Sequence, residues 1–109
     1  MVEQGKIIKV NFSPQSGHEQ AGYIPAVVVS NNIFNNVTRL AMVCPITNTN
    51  NKFPLHVVLD GRTITTGVVL CEHVRTLDLE SRKFVVVEDL PDDLLDEILE
   101  IISASIERQ

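Results

Sequence analysis

The chain alternates short apolar segments with turn-forming residues along most of its length, and this alternation restricts its fold more than any other feature. Val and Ile dominate the apolar segments, as expected of strands. Strands are predicted over residues 6–12, 25–30, 39–47, 55–60, 67–74 and 84–87. Short strands at such spacing, divided by segments rich in Gly, Pro and Asn, are typical of an all-β barrel or sandwich.

The periodicity changes near the end of the chain. Pro91 suits the first position of a helix, and Asp92 and Asp93 favour the positive end of the helix dipole. Apolar residues then recur every three or four positions, at Leu94, Leu95, Ile98, Leu99, Ile102 and Ile106. A C-terminal helix is therefore predicted, with its apolar stripe packed on the barrel. The Asn-rich segment 31–36 is compatible with one helical turn or with a loose connection.

Length and charge set the remaining limits. The chain has 109 residues, which predicts one domain over residues 1–109. A net charge of −5 argues against a protein that coats nucleic acid by charge alone, although nine Lys and Arg residues are enough for one local basic surface. The candidates for that surface are Lys52, Arg62, Arg75 and Arg82. With no apolar run of membrane-spanning length and no signal-like N-terminus, we expect a cytoplasmic protein without membrane contact.

Cys44 and Cys71 each lie within an apolar segment. Two buried free thiols are the preferred interpretation, and a disulfide between them stays open. Nothing in the sequence supplies further ligands at the spacing of a zinc site.

Three groups of segments follow one another in order along the chain. They are residues 5–14 running into 17–22 (GHEQAG), residues 25–30 (PAVVVS), and residues 44–47 (CPIT) followed by Pro54, 67–70 and 74–78. In this order and spacing they resemble the MazF/PemK/Kid family of toxin ribonucleases. The match extends over about residues 5–83, and the terminal helix also fits.

This resemblance implies a mainly β, SH3-like barrel with a C-terminal helix, paired as a homodimer. It also implies a sequence-specific endoribonuclease that cuts single-stranded RNA or mRNA without a metal or other cofactor. The 2′-hydroxyl attacks the adjacent phosphorus and leaves 2′,3′-cyclic phosphate and 5′-hydroxyl ends. A cognate antitoxin with a flexible acidic tail is the implied protein partner.

The same resemblance indicates the catalytic positions. The family threonine at the end of the third strand corresponds to Thr47, and a family carboxylate corresponds to Glu19. The family arginine directly before the proline of the second strand is replaced by Ile24. Isoleucine donates no proton and carries no charge, so the sequence predicts a nuclease of reduced activity.

Further RNA contacts are predicted at Asn48, Thr49, Lys52, His18 and Arg75. Each has a plainer interpretation as a turn residue or a solvated side chain. His18 is also a candidate for a replacement base, because its ordinary pKa lies near neutrality.

Two other functions stay open at this point. The barrel is similar to that of the CcdB gyrase-poisoning toxin, which acts by protein contact and has no nuclease site. A catalytically silent homologue that only sequesters antitoxin is the other alternative. Against the gyrase alternative, the segments 19–22 and 45–47 belong to the nuclease branch.

Overall fold

A computed structural model describes residues 1–12, 23–49, 52 and 54–109. The strands it contains are β1 (Lys6–Asn11), β2 (Tyr23–Val28), β3 (Ala41–Thr47), β4 (His56–Val58), β5 (Val68–Leu70), β6 (Arg75–Leu77) and β7 (Phe84–Asp89). The helices are α1 (Asn32–Thr38) and α2 (Asp92–Ser105), with a 3₁₀ turn over Cys71–His73. Each predicted strand region therefore contains a strand, usually shorter than predicted. None of the helices in the described ranges is long and apolar enough to cross a membrane.

The strand pairs that the structure describes are all antiparallel, in the order β4-β5-β3-β2-β1-β7, and β6 pairs with β3. Successive residues of a strand face opposite sides of a sheet, so each side collects its own apolar residues. The predicted fold class, mainly β with a C-terminal helix, is confirmed.

One apolar cluster lies under the terminal helix, and we call it the helix-side cluster. Leu94 and Ile98 of α2 are buried in it, with Leu95, Leu99 and Ile102 packed against it. Ile106 was predicted to belong to the same stripe but is 80% exposed, because α2 ends at Ser105. The buried members are Ile7, Val27, Val29, Cys44, Ile46, Val57, Leu59, Val69, Cys71, Leu90, Leu94 and Ile98.

A second cluster occupies the other side of the sheet, beneath β6, and we call it the β6-side cluster. Val10 and Phe12 of the β1 segment belong to it, and Ile24 and Phe84 pack against it. Its buried members are Val2, Ile8, Val10, Phe12, Ala26, Val28, Ala41, Val43, Leu77 and Leu79. Each face of the sheet thus has its own apolar cluster.

The Asn-rich segment forms a helix rather than a loose connection. Asn31 caps α1 by accepting a hydrogen bond from the Phe34 amide at 2.8 Å. Asn35 is fully buried, and its side-chain amide donates to the carbonyls of Val2 and Ser30. These bonds fasten α1 to the N-terminal segment, since a buried amide is costly unless it is satisfied.

The predicted strand over residues 67–74 is interrupted. β5 pairs Val69 with Ile46, and continuing this antiparallel register would place residue 72 opposite Val43. The residue observed opposite Val43 is Arg75, three positions later. The 3₁₀ turn over Cys71–His73 absorbs this difference. The chain then resumes pairing with β3 as β6, a strand that the apolar pattern did not predict.

The turn before β5 is held by a carboxylate from the neighbouring edge of the fold. Glu88 accepts the amide protons of Ile64 at 3.0 Å and Thr65 at 2.8 Å, and the Thr65 hydroxyl at 2.7 Å. Burial alone would raise the pKa of Glu88, but the hydrogen bonds from Thr65 and Ile64 outweigh it and leave that pKa below its ordinary value.

Glu88→Gln should therefore change how stability depends on pH. Because the pKa of Glu88 is lower in the folded chain, its contribution is present above the unfolded value of about 4.3 and is lost as the pH falls through the folded value. We expect the variant to be less stable than wild type by about 1–2 kcal/mol at pH 7, with a difference that shrinks below about pH 4. Urea unfolding at several pH values measures it, with Glu100→Gln on the exposed side of α2 as the control. A difference that does not vary with pH would contradict the assignment.

Candidate active site

Thr47 ends β3 at the edge where several polar residues meet. Its backbone pairs with Val68 of β5. Its hydroxyl oxygen accepts the amide proton of Thr49 at 3.2 Å. That bond holds the oxygen in place while leaving the hydroxyl proton to be donated elsewhere. A strand-end hydroxyl fixed in this way suits contact with a phosphate oxygen.

Asn48 and Thr49 follow directly and are exposed. The Asn48 side-chain oxygen accepts a hydrogen bond from the Thr66 hydroxyl at 3.0 Å. The structure therefore brings the predicted residues Thr47, Asn48 and Thr49 together with the turn that precedes β5. Their polar groups form one exposed hydrogen-bonding surface.

Gly67 lies directly against the backbone of Thr47 and the side chain of Asn48. A Cβ built at Gly67 would lie 2.3 Å from the Thr47 carbonyl oxygen and 2.8 Å from its carbonyl carbon. The φ of Gly67 is +121°, a backbone conformation that L side chains rarely adopt. Glycine is thus required for Thr47 to hold its position.

Ile24 lies on β2, the strand next to Thr47's strand. Pairing between β2 and β3 runs to Ala26 and Pro45, so Ile24 and Thr47 each stand two residues beyond that last pair. By strand alternation, the two side chains share the face of the β6-side cluster. Ile24 is half-buried against that cluster, and it brings carbon rather than a charged group to this end of the strands.

Arg75 approaches the same end of the sheet from β6. Its backbone pairs with Val43, and its guanidinium carbon lies 5.1 Å from the centre of the Phe12 ring. Such a cation–π contact fixes the guanidinium without using its N–H donors. Phe12 is the last described residue before the segment 13–22.

The other predicted basic residues have different surroundings from Arg75. Arg62 bonds to Asp60 at 2.8 Å and to Asp93 at 2.8 Å, tying the turn to the start of α2. Hydrogen bonds from Arg62 hold the pKa of Asp60 down at about 2, and those carboxylates raise the pKa of Arg62. The prediction that Arg62 lines an RNA surface is not supported, because its charge is already neutralised. Arg82 donates to the Asn11 carbonyl at 3.1 Å, and Lys52 is exposed with a φ of 59°.

Both cysteines are free and buried, as preferred from the sequence. Burial raises the pKa of Cys44 to about 12 and that of Cys71 to about 11, so neither thiol supplies a nucleophile at neutral pH. Among the residues that the structure describes, no group of three His, Cys, Asp or Glu side chains is arranged to hold a metal ion. Glu19 and His18 lie outside the described residues, so their predicted roles stay predictions.

Comparison with known proteins decides the family. Residues 3–106 match the family described as PemK-like, MazF-like toxins of type II toxin–antitoxin systems. The endoribonuclease PemK of Escherichia coli is 40% identical over 102 residues, which cover 90% of this chain and 77% of that protein. The endoribonuclease toxin MazF of Escherichia coli (strain K12) is 38% identical over 80 residues, or 73% of this chain and 71% of that toxin. This chain is a member of the PemK-like, MazF-like toxin family.

Solved structures of MazF proteins share the fold. MazF from Deinococcus radiodurans superposes with a TM-score of 0.86 at 36% identity, covering 96% of each chain. A MazE–MazF structure from the same organism also gives a TM-score of 0.86 at 36% identity, covering 96% of this chain and 95% of that one. The resemblance to MazF and PemK toxins predicted from the sequence is therefore confirmed.

Two features of this MazF-like toxin were not predicted from its sequence. The hydrogen bond between Thr66 and Asn48 joins residues far apart in the chain, and no local sequence pattern predicts it. Gly67 was predicted only as the first residue of the strand over 67–74, whereas the structure places it directly against Thr47. The sequence signal that could have indicated this contact is the position of Gly67 directly before the β-branched residues Val68 and Val69.

Proposed function

We propose that this MazF-like toxin is a sequence-specific endoribonuclease that cuts single-stranded RNA. PemK and MazF, its relatives at 40% and 38% identity, are endoribonucleases. The observation that carries the proposal is the Thr47 hydroxyl, which the Thr49 amide holds in place beside the exposed Asn48. Exposed hydroxyl and amide groups at a strand end suit phosphate and the base edges of an unpaired strand.

The proposed reaction is an internal transfer at phosphorus. The 2′-oxygen loses its proton to a base and forms a bond to the adjacent phosphorus, while the bond from phosphorus to the 5′-oxygen breaks. The leaving 5′-oxygen takes a proton, which gives a 2′,3′-cyclic phosphate and a 5′-hydroxyl. We assign the base to the Glu19 carboxylate and the final proton to water. Thr47 donates a hydrogen bond to a non-bridging oxygen as charge accumulates there.

Reduced activity is part of the proposal. Ile24 lies on the strand beside Thr47 and, on the face they share, offers carbon instead of hydrogen-bond donors. Because the transition state carries more negative charge than the RNA, the loss of one preorganised donor slows such a reaction by about 100- to 1000-fold. We also predict that cleavage is independent of metal ions, since Thr47 and the base together need no bound ion for this transfer.

An antitoxin is the proposed protein partner. The Deinococcus radiodurans structure at 36% identity is a complex of MazF with MazE. We propose that a cognate antitoxin binds this chain through a flexible acidic tail that competes with RNA for the same surface. Homodimerisation stays a prediction, which the mass of the particle in solution would test.

Thr47→Val tests the proposed function. Valine keeps the shape of the side chain and removes the donor, so cleavage of a long unstructured RNA should fall by about 10- to 100-fold. The matched control is Thr76→Val, an exposed threonine of β6 that should leave cleavage within about twofold of wild type. End-group analysis should find 2′,3′-cyclic phosphate, both with and without a chelator.

Other outcomes would overturn the proposal. Equal rates for Thr47→Val and Thr76→Val would remove Thr47 from the reaction. If no RNA is cut by wild type or by variants with restored charge, the nuclease assignment fails. Binding to a gyrase fragment would then favour the CcdB-like alternative, and binding to antitoxin alone would favour the sequestering one.

A further inference from the structure

Arg75 differs from Arg39 and Arg62, whose charges are balanced by carboxylates. Arg39 pairs with Glu80, and Arg62 is held by two carboxylates. Arg75 makes no ion pair with any residue in the described ranges, and its guanidinium lies over the face of the Phe12 ring. Its positive charge is therefore not neutralised by the part of the chain that the structure describes.

The side chain of Arg75 extends toward the end of the strands where Thr47 lies. Val43, its backbone partner, precedes Thr47 by four residues, about 13 Å along the strand. Its guanidinium, however, contacts Phe12, two residues beyond the pair formed by Val10 and Ile24. The charge thus lies against a residue at the same end of the sheet as Ile24.

Phe12 gives this charge a fixed position. Its ring is only 3% exposed and belongs to the same cluster against which Ile24 packs. A cation held over a buried ring loses little freedom when it binds an anion, because its position is already restricted. Electrostatic stabilisation of a transition state depends on this kind of preorganisation.

We propose that Arg75 is a catalytic residue whose guanidinium donates hydrogen bonds to the non-bridging oxygens of the scissile phosphate, in place of a cation at position 24. This role rests on the proposed nuclease function. Arg75 keeps its proton throughout, since a guanidinium does not deprotonate in proteins. It therefore neutralises charge in the transition state while the base and water exchange the protons.

Arg75→Gln tests this role, with Arg108→Gln beyond the end of α2 as the control that removes the same charge. We expect Arg75→Gln to lower kcat/KM for RNA cleavage by about 10- to 100-fold, and Arg108→Gln to change it by less than about twofold. Arg75→Lys should recover part of the loss, because it restores charge without the bidentate geometry. In an Ile24→Arg background, Arg75→Gln should cost less than about fivefold, since a second guanidinium then faces the phosphate.

A second measurement separates catalysis from RNA binding. An RNA with a 2′-deoxy nucleotide at the cut site cannot react, and Arg75→Gln should weaken its binding by no more than about threefold. If binding weakens as much as cleavage, Arg75 only anchors RNA and the proposal fails. It also fails if Arg75→Gln and Arg108→Gln have the same kcat/KM for RNA cleavage. The proposal fails as well if RNA is cut only by chains that carry Ile24→Arg. If no chain cuts RNA, the nuclease function itself is wrong, which is a distinguishable result.

Discussion

Replacing Ile24 with arginine should raise RNA cleavage by at least about 100-fold. Ile24 is half-buried at the edge of the β6-side cluster, on the face that Thr47 shares. An arginine there can cover the cluster with its methylene groups while its guanidinium extends to solvent and phosphate. The change therefore adds a charged donor beside Thr47 at a small cost in packing. Initial rates on a long unstructured RNA, with end-group analysis, measure the gain.

Two variants at the same position separate charge from shape. Ile24→Met keeps a side chain of similar volume without charge and should leave the rate within about threefold of wild type. Ile24→Lys adds charge without the bidentate geometry of a guanidinium, and its cleavage rate should lie between those of the Ile24→Met and Ile24→Arg variants. Equal rates for the Met and Arg variants would show that the absence of charge at position 24 is not what limits this toxin.

Replacing Gly67 with alanine should be the most destabilising small substitution in the site. The added Cβ would stand 2.3 Å from the Thr47 carbonyl oxygen, and a φ of +121° is itself strained for alanine. A clash with backbone cannot be relieved by turning a side chain, so β5 must separate from the end of β3. Strain and overpacking together are expected to cost about 3 kcal/mol or more. In a domain of this size such a loss lowers Tm by roughly 10–25 °C.

Gly61→Ala is the matched control. A Cβ at Gly61 meets nothing within 4 Å. Its φ lies outside the left-handed region, so alanine should be neutral or slightly stabilising, within about 0.5 kcal/mol of wild type. Thermal unfolding followed by circular dichroism compares the two. Similar Tm values for the variants would mean that the contact of Gly67 with Thr47 is not tight in solution.

Cleavage adds information to the Gly67 experiment. Thr47 is positioned by its pairing with Val68, the residue after Gly67. Below its own Tm, Gly67→Ala should therefore also cut RNA more slowly, whereas Gly61→Ala should not. A folded Gly67→Ala chain with unchanged cleavage would separate the geometry of this strand pair from catalysis.

Six of the seven strands that the structure describes were predictable because each lies in a short apolar segment rich in β-branched residues, whereas β6 was not predicted. The residues at which the strands begin and end were harder to predict. Arg39 was assigned to the third strand, yet it ends α1 with a φ of 62°, and β3 begins at Ala41. The hydrogen bond that fixes this ending joins Arg39 to Asn35, four residues earlier. An apolar pattern does not record where such a helix cap lies.

Part of the candidate site was also predictable. Thr47, Asn48 and Thr49 are consecutive, so any fold that ends a strand there presents them together. Arg62 shows the opposite case. Its sequence neighbours allowed a free surface cation, but Asp93, 31 positions later, neutralises it in the structure. Pairing between distant charges depends on the packing of α2 against the turn, and no local pattern carries that information.

The sequence by itself determined the β class, the terminal helix and the toxin family, and it predicted the roles of Thr47 and Ile24. Each of these follows from periodicity or from a continuous motif. Only the tertiary structure decided that Arg75 lies opposite Val43 and over Phe12. A three-residue 3₁₀ turn shifts the register so that this arginine, and not residue 72, faces β3. Strand register is set by contacts between strands far apart in the chain. The position of the Arg75 charge could therefore not be predicted from the sequence.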